Sequence, residues 1–98
     1  MIHNVLINDI QATDEFIKDY DKAPEIIRRR VDRLINMILN AQRFPPSMNI
    51  HMAFKHDLWM GTVTQNKQAW RILFWENEGT MKLHRLLTHD QRDKYLRI

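Results

Sequence analysis

The second half of the sequence carries most of the side chains that could do chemistry. Residues 50–98 hold eight of the fifteen lysines and arginines, five of the twelve acidic residues and four of the five histidines. Residues 1–49 hold equal numbers of basic and acidic residues, so the net charge of +3 comes from the second half. This excess of basic residues and histidines in residues 50–98 is compatible with an anionic partner such as RNA. It is equally compatible with an unevenly charged, solvated surface.

Histidine and arginine are the residue types that metal-free RNA cleavage needs. Attack by a 2′-OH requires a base for its proton, cations for the phosphate oxygens and an acid for the departing 5′ oxygen. Histidine suits the proton steps because it titrates near neutral pH, and arginine suits the phosphate because its charge is permanent and its fork bidentate. The available set is Arg71, His89, Lys55, His56, His51, Arg85 and Tyr95, and Trp75 could stack a base.

Other site chemistries are disfavoured by residue spacing. The chain has no cysteine, which excludes a disulfide scaffold and a cysteine-ligated zinc site. His51 and His56 are five positions apart, as are His84 and His89, which is not the helical spacing of paired metal ligands. The lone serine, Ser47, lies in a proline loop without the glycines of a nucleophile elbow. We therefore expect neither a metal nor a cofactor.

Length and composition are those of a globular domain. With 98 residues, of which 44% are apolar and 28% charged, we expect a single domain over residues 1–98. No apolar run approaches the ~20 residues of a membrane helix. The opening MIHNVLINDI lacks the basic and apolar regions of a signal peptide. These features predict a soluble, cytoplasmic protein.

A pair of helices is predicted in the first half. The apolar run His3–Asn8 could be an opening strand, and Thr13, followed by two acidic residues, is a helix start signal. Pro24 ends that helix and begins a second one, which should run to about Gln42. The apolar positions of the second helix recur at helical spacing: Ile27, Val31, Leu34, Ile35, Ile38 and Leu39.

Three arginines of the second helix, Arg29, Arg30 and Arg33, lie away from its apolar stripe. A solvated helix face is one interpretation of this cluster. Contact with a nucleic acid or another partner is the other. The sequence leaves both open.

The spacing of apolar residues changes from helical to alternating after Pro45-Pro46. Three segments rich in strand formers follow, Leu58–Thr64, Ala69–Glu76 and Met81–Thr88, and short polar connections join them. This pattern predicts an antiparallel meander. Helices that precede a meander indicate an α+β fold, with two helices packed on one face of a sheet of about four antiparallel strands in the order β-α-α-β-β-β.

Strand alternation draws attention to Arg71. In Ala69–Glu76 one face carries Trp70, Ile72 and Phe74, which should pack on the helices, and the other carries Arg71, Leu73 and Trp75. An arginine buried there without a partner would cost several kcal/mol. Arg71 is therefore either an exposed or paired structural residue or aimed at an anion on the uncovered face. The final strand shows no clean separation of its faces.

The segments that carry these features are DEFIKDYDKAPEIIRRRVDRLINMIL, NIHMAFKHDLW, WRILFW and HDQRDKY. In this order they resemble the RelE/ParE superfamily of bacterial type II toxins, in particular the mRNA interferase branch of RelE-, YafQ- and HigB-like proteins. The resemblance covers nearly the whole chain. Its most specific piece is the strand motif aromatic-Arg-Ile-x-Phe after a Leu-Trp strand.

The resemblance implies roles for several residues. In the ribonuclease branch the arginine of the strand motif contacts the scissile phosphate, which implies that role for Arg71. The C-terminal aromatic or histidine of the family would be His89 or Tyr95. The family's basic residues before the meander would be His51, Lys55 or His56.

The resemblance also implies a function and a partner. It implies a toxin that inhibits translation as an mRNA endoribonuclease, acting either on the ribosome or on free RNA. It also implies that a small antitoxin protein neutralises this toxin. Two alternatives remain: a ParE-like toxin that binds DNA gyrase without catalysis, and a degenerate member that only binds a protein. The gyrase binders lack a histidine, lysine and arginine set on the open sheet face, so Arg71 and the histidines favour the ribonuclease.

Overall fold

The fold combines a helical pair with a sheet whose far face carries a third helix. A computed structural model of the chain describes residues 5–53, 57–65 and 68–96. Its elements are β1 (Asp9–Ala12), α1 (Asp14–Lys22), α2 (Glu25–Ala41), a 3₁₀ turn (Pro46–Met48), β2 (His51–Met52), β3 (Trp59–Thr64), β4 (Trp70–Asn77), β5 (Thr80–Thr88) and α3 (His89–Leu96). The strands are ordered β1-β5-β4-β3-β2. The expected α+β class and the antiparallel β3-β4-β5 meander are confirmed.

The helices α1 and α2 begin and end at residues that cap them. The Thr13 hydroxyl accepts a hydrogen bond from the backbone N–H of Phe16 at 3.1 Å and so caps α1. Pro24 is the N-cap of α2, and Gln42, in the left-handed conformation with φ of 56°, is its C-cap. Both helices therefore occur where the sequence predicts them.

The main core lies between these helices and one face of the sheet. Alternation along β4 is as predicted, since Trp70, Ile72 and Phe74 all pack in this core. Within the stripe of α2, Leu39 is the exception because it is 40% exposed. The helical residues that are buried there are Phe16, Ile27, Val31, Leu34 and Ile38.

The sheet departs from the expected one at its first strand. It has five strands instead of about four, because β2 (His51–Met52) adds to the edge of β3. It is mixed and not purely antiparallel, because β1 pairs in parallel with β5. The opening strand is not the predicted apolar run: of His3–Asn8, residues 5–8 are not in a strand, and His3 and Asn4 lie outside the described residues. Ile7 is instead fully buried in the main core, and pairing starts only at Asp9. The helices carry the chain away from β1, so its strand partner comes from the other end of the sequence.

A β-bulge explains why β5 has no clean alternation. Leu83 and Arg85 pair with consecutive residues of β4, so His84 is the extra residue. Before the bulge Leu83 packs in the main core, and after it Leu86 does. The extra residue therefore reverses the faces of the strand halfway along its length.

A smaller second core lies on the other face of the sheet. It consists of buried Ala53, Leu58, Met60, Leu73 and Leu87. Trp75, Tyr95 and Leu96 are partly buried against it, and the last two belong to α3. The face expected to be open is therefore partly covered by a helix. None of the helices in the described ranges is long and apolar enough to cross a bilayer.

Candidate functional site

Arg71 is the second residue of β4, on the face away from α1 and α2. Its Nη1 donates hydrogen bonds to the carbonyl oxygens of Thr64, at 2.8 Å, and Trp70, at 3.0 Å. No described carboxylate forms an ion pair with it. The guanidinium is therefore held by strand backbone while its charge is not neutralised by the described part of the protein.

Arg92 on α3 adds a second positive charge near Arg71. Burial, and after it the charge of Arg92, lower the pKa of Arg71 from its usual value. Arg71 nevertheless stays charged at neutral pH, because a guanidinium keeps its proton there. Two guanidinium groups held near each other in this way would both be stabilised by an anion such as a phosphate.

His89, Arg92 and Asp93 form a hydrogen-bonded set at the start of α3. The Nη2 of Arg92 lies 2.8 Å from the Nε2 of His89. The Nδ1 of His89 lies 3.5 Å from a carboxylate oxygen of Asp93. Arg92 also donates to Asp93 Oδ1 from Nη2 at 2.6 Å and from Nε at 3.1 Å. Because a guanidinium can only donate, Nε2 is the acceptor. This contact assigns a neutral His89 ring the tautomer with its proton on Nδ1, the nitrogen that faces Asp93.

Tyr95 and Trp75 belong to a separate ring cluster centred on His84, the bulge residue. The ring centroid of His84 is 4.4 Å from that of Trp75 and 5.7 Å from that of Tyr95. The Tyr95 hydroxyl is hydrogen-bonded to His84 Nε2 at 2.5 Å. The cluster joins α3 to β4 and β5, so it fixes the helix that carries His89 and Arg92.

Arg85 is engaged with the helical layer. Its Nε and Nη2 donate to the two carboxylate oxygens of Asp19 on α1 at 2.7 and 3.1 Å. Asp19 also accepts from the backbone N–H of Leu86 at 3.0 Å. The hydrogen bond to Asp19 is the largest influence on Arg85 and raises its pKa. The charge of Arg85 is therefore compensated within the protein, unlike that of Arg71.

His51 lies on β2 at the rim of a cleft of about 500 Å³ that also borders Arg92, Asp93 and Leu96. Its side chain is exposed, and its Nδ1 is 3.0 Å from the carbonyl oxygen of Asn49. His51 therefore faces the same cleft as two members of the His89 set. Lys55 and His56 lie outside the described residues.

Solved structures with the same architecture include chains of toxin–antitoxin complexes. A chain of the RelB–RelE antitoxin–toxin complex of Methanococcus jannaschii matches with a TM-score of 0.70 and 20% identity, over 87% of this chain and 96% of that chain. YafQ of E. coli matches with a TM-score of 0.68 and 16% identity, over 86% and 96%. A chain of the E. coli DinJ–YafQ toxin–antitoxin complex gives 0.66 and 16%, over 86% and 94%.

This chain has the RelE-like toxin fold. The resemblance to the RelE/ParE superfamily is thus confirmed for the architecture. No family model matches the sequence, and no curated protein matches it. At these identities the relationship is one of fold.

On this RelE-like fold the predicted site residues fall into three groups. Arg71 lies near Arg92 and its partner His89, and the cleft of His51 adjoins them. Tyr95 and Trp75 meet at His84. Arg85 is bound to Asp19, and its guanidinium also lies over the Tyr95 ring, 5.1 Å from the centroid, so the last two groups are in contact.

The roles of Arg92 and His84 were not predicted from the sequence. The signal for Arg92 is present in the sequence, since Thr88-His89-Asp90-Gln91 is a capping box that begins a helix with His89 and Arg92 three positions apart. The structure contains both hydrogen bonds of that box, at 3.1 and 3.2 Å.

Proposed function

We propose that this chain is the toxin of a type II toxin–antitoxin pair and that it is an mRNA endoribonuclease which acts on the ribosome. In this proposal it works as a single domain in the cytoplasm and inhibits translation. The RelE-like fold supports the toxin role. The observation that carries the catalytic part is Arg71, an arginine fixed by strand carbonyls, without a described counter-ion and close to Arg92.

The two arginines would bind the scissile phosphate. As O2′ attacks the phosphorus atom, negative charge grows on the non-bridging oxygens, and permanent cations held in place stabilise it. Arg71 suits this task because a strand positions it and no loop has to order first. Arg92 would have to exchange its ion pair with Asp93 for the same phosphate, which it would meet from α3.

His89 would take the proton from the 2′-OH. With Nδ1 facing Asp93, the Nε2 atom is the basic nitrogen, and a phosphate that draws Arg92 away would free it. The O2′–P bond forms as the P–O5′ bond breaks, and an acid protonates O5′, which leaves a 2′,3′-cyclic phosphate and a 5′-hydroxyl. We assign the acid to His51 or His56, and phosphate positioning to Lys55. No step requires a metal.

The ring cluster and Arg85 would support this site in different ways. Trp75 is partly exposed and could stack a base, and Tyr95 would hold α3 in place through His84. Arg85 would have to leave Asp19 to meet a phosphate, which favours a structural role over the predicted RNA contact.

We also propose a cognate antitoxin as the protein partner. The RelB–RelE and DinJ–YafQ structures are complexes of this type. An acidic or amphipathic segment would complement the uncompensated charge of Arg71 and the apolar surface of Trp75. Such a segment would compete with RNA for the same face.

The test is to express the protein in bacteria and map the 5′ ends of cellular mRNA, with Arg71→Gln as the comparison. We expect new, codon-spaced ends with the wild type and none above background with the variant. Purified protein should give the same products on ribosome-bound mRNA, and purified Arg71→Gln should give none. Growth arrest with intact mRNA and inhibited gyrase would instead indicate a ParE-like toxin. A protein with neither effect would only bind a partner.

A further inference from the structure

A second basic pocket lies on the helical side of the sheet, between α2 and the end of β3. It has a volume of about 260 Å³. Arg30 and Arg33 contribute its positive charge, and Ser47 and Gln65 contribute polar groups. The roles proposed above for Arg71, Arg92 and His89 leave this pocket unused.

The arginines of α2 differ in how their charges are compensated. Arg28 donates to the carbonyl oxygen of Ala23, and Arg29 forms an exposed ion pair with Glu25 at 2.9 Å. Arg30 and Arg33 form no ion pair with any residue in the described ranges. The pocket therefore combines two uncompensated guanidinium groups, which suits an anion.

A hydrogen bond holds Arg30 in this position. Its Nε donates to the carbonyl oxygen of Val63 at 3.0 Å. The next carbonyl along β3, that of Thr64, accepts from Arg71. Two arginines from opposite sides of the sheet thus meet the same end of β3, so the pocket and the site around Arg71 are separated only by the width of one strand end.

The outer edge of β3 has no described strand partner where the two sites meet, although residues 61–64 are themselves buried. β2 pairs only with Trp59 and Met60, and no other described strand pairs with that edge over residues 61–64. A flexible chain that passes from one arginine group to the other would therefore displace no described strand pairing at this edge.

We infer that this pocket binds a second phosphate of the RNA strand whose scissile phosphate lies at Arg71. The inference rests on the proposed ribonuclease function. Guanidinium, hydroxyl and amide groups are all hydrogen-bond donors, as phosphate oxygens require. A nucleic acid strand carries a phosphate at every nucleotide, so one strand can occupy both sites. The acidic antitoxin segment proposed above has the same charge, so the experiment below treats it as the other occupant.

Binding of a short 2′-O-methyl RNA, which has no attacking hydroxyl, tests the inference apart from cleavage. Arg33→Gln should weaken binding in fluorescence anisotropy about tenfold. It should also reduce the slope of log affinity against log salt by about 0.7, the value for one phosphate contact on a single strand. Arg29→Gln is the matched control, since it removes one charge from the same helix, and it should bind like the wild type.

The length of the RNA provides a second readout. A dinucleotide has a single internucleotide phosphate, so the wild type and Arg33→Gln should bind it equally, and the difference should appear only with longer strands. Equal losses with Arg29→Gln and Arg33→Gln would overturn the inference in favour of a diffuse charge effect. Unchanged RNA binding by Arg33→Gln, with weaker binding of an acidic antitoxin peptide, would also overturn it, because the pocket would then serve the protein partner.

Failure of the second phosphate site can be distinguished from failure of the proposed ribonuclease function. If the wild type cleaves RNA, Arg71→Gln does not, and Arg33→Gln binds like the wild type, the second phosphate site is wrong and the ribonuclease stands. If the wild type neither binds nor cleaves RNA, both are wrong. Thermal unfolding of Arg33→Gln should match the wild type, since no described side chain is paired with Arg33.

Discussion

Arg92 donates to the Nε2 of His89 while also binding Asp93, so one side chain sets the orientation of the histidine and adds positive charge beside Arg71. In the free protein Arg92 therefore donates to the His89 Nε2 atom that we propose accepts the proton of the 2′-hydroxyl when RNA is bound. Binding of a phosphate by Arg92 would then couple occupation of the site to release of its base.

We predict that Arg92→Gln reduces RNA cleavage about 10²-fold. The variant loses a cation at the phosphate and the donor that orients His89. In ¹⁵N NMR of the imidazole, the neutral wild-type ring should be the Nδ1-protonated tautomer, and the variant should show a mixture of tautomers. Full cleavage activity in the variant would remove Arg92 from the proposed site.

Arg71→Gln should have the largest effect on cleavage. Loss of one charged contact in the transition state corresponds to about 2–4 kcal/mol, or roughly 10²–10³ in rate. The side chain is half-buried and packs little, so the melting temperature should change by only a few degrees. Single-turnover cleavage and thermal unfolding measure the two effects, with Arg29→Gln as the charge-matched control. A folded Arg71→Gln that cleaves RNA normally would contradict the phosphate role.

Asp19→Asn should destabilise the fold by about 1–3 kcal/mol, because it breaks the bidentate contact of a largely buried Arg85. The pKa of Arg85 is raised in the folded state. The stabilisation that comes from its bound proton is therefore fully present below the pKa of arginine in the unfolded chain. It is lost only as the pH rises through the higher pKa of the folded state. The loss of stability in Asp19→Asn should therefore not depend on the titration of Arg85 around neutral pH. Glu25→Gln, which breaks the exposed pair with Arg29, should cost almost nothing in the same denaturation experiment.

Thr88→Ala should lower activity more than stability. Thr88 caps α3, and loss of a cap destabilises a helix by about 1 kcal/mol. Because α3 positions His89 and Arg92, fraying of its first turn should reduce cleavage about tenfold. Thr88→Ser, which keeps the hydroxyl, should behave like the wild type in both assays. A Thr88→Ala protein with normal activity would show that the cap does not position the site.

Local sequence signals predict part of this structure. Helical spacing and a hydroxyl cap locate α1 and α2, and alternation places Arg71 on the face opposite the helices. These features depend on residues a few positions apart, so a single sequence reveals them.

The features that escaped prediction depend on distant parts of the chain. β1 has only four residues, none of them buried, and its partner β5 lies at the other end of the sequence. The bulge at His84 is a matter of register between two strands, which neither strand encodes alone. The proximity of Arg92 to Arg71 requires α3 to fold back over the sheet. A local pattern cannot supply that information.

The thin anchorage of α3 has a consequence for how activity responds to temperature. None of its residues is buried, and its attachment to the sheet rests on half-buried side chains such as Tyr95 and Arg92. Elements held in this way open with a smaller free energy than the rest of a protein. If His89 and Arg92 act as proposed, the equilibrium for undocking this helix sets the fraction of competent molecules. Catalysis would then be lost on heating before the two cores unfold, and hydrogen exchange would be fastest along α3.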